Sequence, residues 1–214
     1  MRNQFALLVL LGTALESAEV IDRIAVIVNK RVIKSSDIAH DLRVTAFLNS
    51  EPLRQDAESR RKAAERLIDQ SIIREQIDRG GYTKPSTTDA DSLRNQILRD
   101  RFSGSAARMR QELNRYGLTE EELQGQLLWQ LSVLRFIDQR FRQGVLVSDE
   151  EVRTHYERHL SKLQRQFPAN HSYAALEDEI RRTLIAERIN TNFEQWLADS
   201  RKTVGIEYRE EALS

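Results

Sequence analysis

The chain has no cysteine, which rules out disulfides, thiolate nucleophiles and cysteine-ligated metals. Only 8 Gly and 3 Pro occur in 214 residues, too few for a loop-rich or all-β fold. There is no excess of either charge: Lys plus Arg and Asp plus Glu each number 33. Net charge therefore points to neither nucleic acid nor an anionic membrane as a partner. No GxxxxGK[ST], GxGxxG or GxSxG pattern occurs, so ATP, dinucleotide and serine-hydrolase chemistry have no local signature. Long apolar runs are equally scarce. The one at Phe5–Leu15, after the basic Arg2, has the length of a secretory signal rather than of a membrane span. Cleavage after Ala18 leaves Glu16 at the −3 position and cleavage after Ala14 leaves Gly12 there. Residues 1–18 are assigned to the signal peptide with that boundary open, which predicts an exported protein. A buried N-terminal helix or an uncleaved anchor are the other readings.

What is present is mostly helix. Segments 36–49, 53–78, 86–102, 105–116, 119–142, 149–160 and 172–203 carry apolar residues at helical spacing. Thr119-Glu120-Glu121-Glu122 and Ser148-Asp149-Glu150-Glu151 are capping boxes, and Ser35 or Ser36 offers a hydroxyl cap to the first helix. Gly80-Gly81, Gly104 and Gly117 end or interrupt helices. The helix over 119–142 is given the apolar residues Leu123, Leu127, Leu128, Leu131, Leu134, Ile137 and Phe141. A short polar break is placed at Pro168–His171.

Strand character appears only at the two ends. Residues 21–34 form an Ile- and Val-rich hairpin turning at Asn29-Lys30, and Val204–Arg209 reads as a lone strand. A lone strand leaves its backbone groups unpaired and must join a sheet made elsewhere. The predicted fold class is mainly α, a helical core domain closed by a small β-sheet of the N-terminal hairpin and the C-terminal strand. The core is assigned to 19–214, with an N-terminal part 19–145 packing against a helical C-terminal part 146–214. The same closure formed between two copies, as a homodimer with swapped terminal segments, has identical contacts and is left open.

His155 and His159 share a helical face at the spacing of a zinc pair. The position of the acid in HExxH is held by Tyr156, and no third ligand follows by spacing. They are weak metal candidates beside a plain reading as surface histidines. No catalytic residue and no cofactor is assigned.

In order along the chain, several segments resemble SurA-type periplasmic chaperones. They are Ile24–Asp37, Ala64–Ile73, Tyr116–Glu121, Val147–Tyr156, and the closing helix with Trp196-Leu197 followed by Ile206–Tyr208. Members of that family commonly insert parvulin-type isomerase domains before the last helix. This chain has only about ten residues there, too few for a domain. The resemblance implies an ATP-independent chaperone core that binds unfolded envelope or outer-membrane proteins without isomerase activity. For the client surface, Leu98, Phe102, Met109, Leu113 and Tyr116 are assigned, on the adaptability of Met and aromatic side chains. The same residues fit ordinary core packing on the 119–142 helix. A membrane-tethered scaffold, a prolyl isomerase and a metal-dependent enzyme are the alternatives.

Overall fold

The structure is a computed structural model and describes residues 22–166 and 172–213. The assigned signal peptide and the break at Pro168–His171 lie outside the described residues.

Two strands, β1 (Ile24–Val28) and β2 (Arg31–Lys34), form the hairpin, and Asn29 takes φ 53° at the turn. The third strand, β3 (Ile206–Tyr208), pairs antiparallel with the other edge of β1. The order is β2-β1-β3, so the two ends of the chain share one sheet. Asn29 fixes the junction twice. Its N–H donates to Gly205 O at 2.8 Å, and its side-chain Oδ1 accepts from Gly205 N–H at 3.0 Å. A short 3-10 turn, Glu210–Ala212, then carries Ala212 and Leu213 into the core.

Among the described residues, seven α-helices fill the space between these strands: α1 (Ser35–Asn49), α2 (Ala57–Gly80), α3 (Thr87–Phe102), α4 (Ala106–Arg115), α5 (Glu120–Phe141), α6 (Asp149–Gln166) and α7 (Tyr173–Thr203). The mainly-α class closed by a small terminal sheet is the observed architecture. Local chemistry explains most boundaries. Thr119 and Glu122 satisfy each other's backbone amides at the start of α5, as Ser86 and Asp89 do at α3. Gly81 and Gly117 turn the chain at φ 64°. The expected serine cap on α1 is not formed. Instead Lys34 N–H donates to Asp37 Oδ2 at 2.8 Å, and Asp22 accepts from both the N–H and the hydroxyl of Ser36. Two negative side chains at the helix N-terminus complement its dipole more strongly than one hydroxyl. The second helix begins at Ala57 rather than 53, because Asp56 accepts from Ser59 N–H.

Packing divides into connected cores. Val26, Val28, Ile38, Ile68 and Leu213 lie between the sheet, α1 and α2. Phe136 of α5 meets Tyr82, Phe141 and Trp196 at ring separations of 5.0, 5.7 and 5.3 Å. This aromatic knot ties α7 to α2 and α5. The closing segment is also bound to α2 through polar groups. Tyr208 OH donates to Glu65 at 2.7 Å, Arg201 binds Asp69 at 2.6 Å and also Glu65, and Arg60 donates to Ala212 O at 2.7 Å.

The helix pair α6–α7 has its own small core of Val152, Leu176 and Ile180. At its base, Glu151 accepts from Ser148 N–H at 2.8 Å and from Arg188 at 2.6 Å. Those bonds, the backbone one first, hold its carboxyl down at about 2. The folded carboxylate is thus the weaker base. Its support of the fold is present above the ordinary glutamate range and disappears as pH falls through about 2. An NMR titration of the Glu151 carboxyl is expected to have its midpoint near 2, moving up in Arg188→Met. A midpoint in the ordinary glutamate range contradicts this cap.

Candidate functional site: a groove between β2 and α5

Capped at Thr119, α5 meets α1 through Leu123 and Leu127 and α2 through Phe136. The faces of α5 divide accordingly. Leu123, Leu127 and Phe136 are buried. Gly125, Trp129 and Val133 form one i, i+4 row, and Gln126, Gln130 and Leu134 form the next. These two rows wall a groove whose floor is α1 and α2 and whose far wall is β2.

Two cavities make up the groove. One, of about 600 Å³, runs from Arg31, Val32 and Ile33 past Asp37, His40 and Arg74 to Glu122 and Gly125. The other, of about 490 Å³, runs from Thr45 and Leu48 past Ile73 to Val133 and Leu134. Both are lined by Asp41, Gln70, Gln126 and Trp129, which makes them continuous. Large apolar side chains stand open at each end: Val32 is 45% exposed and Leu134 61%.

Charges in the groove are largely paired. Asp41 is buried on the floor and accepts from Arg66 at 2.5 and 3.1 Å. Burial pushes its carboxyl above the ordinary aspartate value, and the Arg66 guanidinium opposes that. His40 Nδ1 lies 3.3 Å from Glu122. The Arg74 guanidinium sits over the Trp129 ring at 4.1 Å, and burial pushes it below its ordinary value. What remains for a ligand is apolar surface and amide side chains. The amides of Gln126 and Gln130 can each both donate and accept a hydrogen bond, while Gln70 is engaged with Asp41.

No close approach of another element requires glycine at Gly125. Glycine in a helix interior costs about 0.5–1 kcal/mol relative to alanine. A Cβ built at this position meets no atom of the protein within 4 Å.

The residues assigned to clients from sequence are placed elsewhere. Met109 and Leu113 are fully enclosed, and Phe102 stacks on Phe47 at 6.4 Å. Tyr116 packs edge-on to Phe47 and donates from its hydroxyl to Glu51 O at 2.9 Å, while Leu98 packs half-buried against the same cluster. All five belong to the core joining α1, α3, α4 and α5. Leu134, read as core, is instead exposed at the groove mouth. Sequence reading missed Trp129, Gly125 and the three glutamines. The available signal was a glycine inside an otherwise strong helix, one turn before a tryptophan and flanked by glutamines.

His155 and His159 stack at 4.3 Å on α6, with His159 Nδ1 bonded to His155 O at 2.9 Å. Among the described residues, no group of three His, Cys, Asp or Glu side chains is arranged to hold a metal ion. Among them, no helix is long and apolar enough to cross a membrane.

No family model matches the chain, and no curated protein does. The chain is similar to a solved structure of PEB4 and Cj1289, described as two structurally related SurA-like chaperones of the human pathogen Campylobacter jejuni. The superposition covers 88% of this chain and 99% of that one, with a TM-score of 0.54 and 12% sequence identity. At that identity the likeness speaks for architecture, and the chain has a SurA-like fold.

Proposed function

We propose that this protein is an exported, ATP-independent chaperone that holds unfolded envelope proteins, outer-membrane proteins among them, and performs no isomerase or other enzymatic step. In this reading residues 1–18 are a signal peptide removed on export, and 19–145 and 146–214 act together as one client-binding core in the periplasm. The observation that carries it is the open groove, in which Trp129, Val133 and Leu134 stand beside neutral amides within a SurA-like fold. A wide, partly apolar trough with few free charges suits weak binding to many sequences. The six residues between α6 and α7, 167–172, leave no room for an isomerase insert.

The test is aggregation of a denatured outer-membrane porin diluted from urea. The protein is expected to suppress it at near-stoichiometric ratio without nucleotide. Trp129→Ala is expected to weaken client binding about tenfold, the loss typical of a buried aromatic anchor, while melting cooperatively. Suppression by neither protein across several unfolded clients overturns the proposal. Full suppression by the variant moves the site away from the groove.

A further inference from the structure

The alternation of hydrogen bonds across β1 leaves Val32 with a free backbone. Asn29 N–H donates to Gly205 O, and Arg209 N–H donates to Ala25 O. Residues 25, 27 and 29 of the first strand thus face β3. Ile27 is the partner of Val32 in the hairpin register, so the N–H and C=O of Val32 point away from β1. Among the described residues, neither group takes part in a backbone hydrogen bond outside the helices and strands. Val32 lines the 600 Å³ cavity, whose opposite wall holds Gly125. A vacant strand edge thus faces a helix from which the side chain has been removed.

We propose that the groove binds one extended segment of an unfolded chain, which adds to the outer edge of β2 through the two backbone groups of Val32 and passes over Gly125. Resting on the chaperone reading, this specifies the conformation in which the client is held. Three features choose a strand over other occupants. Backbone groups recognise backbone groups whatever the sequence, as strand addition does. The amide of Gln126, on the α5 wall, supplies the same donor and acceptor pair as a peptide bond. A missing Cβ admits a main chain to the surface of α5 more closely than any other residue allows. The far edge of the sheet lacks this setting: β3 is three residues long, with the charged Glu207 at its centre and Arg209 just after it.

The experiment uses the full chain and reduced, carboxymethylated lactalbumin, a permanently unfolded polypeptide, as the probe. Amide exchange at Val32, read by NMR, is expected to slow at least tenfold when the probe is bound. Gly125→Leu and Gly125→Gln are expected to bind at least fivefold more weakly while melting at a higher temperature, since both residues favour helix over glycine and a Cβ at this position meets no neighbouring element of the free protein. The second variant adds bulk without apolar surface, which separates blocking from altered stickiness. If wild type binds but Val32 exchanges as before, as it would with a helical occupant, strand addition is overturned and the chaperone reading stands. Unchanged binding by both glycine variants also overturns it. A wild-type protein that binds no unfolded chain removes both.

Discussion

Replacing Phe136 with alanine is expected to destabilise the protein by about 3–5 kcal/mol, the range for deleting a fully enclosed aromatic side chain. The residue is 0% exposed and stands at the meeting point of α2, α5 and α7. Its ring touches three others edge-on, and each such pair contributes about 0.5–1.5 kcal/mol beyond burial alone. The space left by truncation is walled by Trp196 and Phe141, which are engaged with each other and with Phe193. Collapse into the gap would break those contacts, so the void persists. Urea titration should show the midpoint falling with little change in slope. A loss under 1 kcal/mol would show that α7 is held by its polar contacts and not by this knot.

Ending the chain after Val204 is expected to abolish the cooperative unfolding transition. The deletion removes β3, the buried Ala212 and Leu213, and the partners of Asn29, Arg60 and Glu65. Val26 and Val28 then lose one flank of their sheet. Burying one side chain such as Leu213 is worth about 1.5–3 kcal/mol, and several such losses approach the ~5–15 kcal/mol that holds a domain together. A thermal melt followed by near-ultraviolet circular dichroism reads this directly. A sharp transition within a few degrees of the full chain would mean that the N-terminal hairpin needs no third strand.

Closure of the fold was legible because it follows from a local shortage. Val204–Arg209 has strand composition and no neighbour to pair with, and only one other strand region exists. Caps were legible for the same kind of reason: Thr119 with Glu122, and Ser148 with Glu151, lie three residues apart and need no tertiary information. The cap of α1 was not, since Asp22 reaches it across the hairpin from 14 residues away. The groove was hidden more deeply. Leu127 and Leu134 sit on one helix and have the same chemistry, yet one is enclosed and the other stands in solvent. Which of them is covered depends on how far α1 and α2 extend beneath α5, and periodicity holds no such distance. Met109 and Leu113 misled in the opposite sense: an arm rich in adaptable side chains has the composition of a binding surface whether or not its neighbours have already occupied it.

The partnership between Asn29 and Gly205 also sets a clock. The two residues are 176 positions apart, and a ribosome adding about 5–20 residues per second needs roughly 9–35 s to travel between them. The strand synthesised first is therefore completed last. Throughout that interval a nascent Val26 and Val28 lack the neighbour that will flank them.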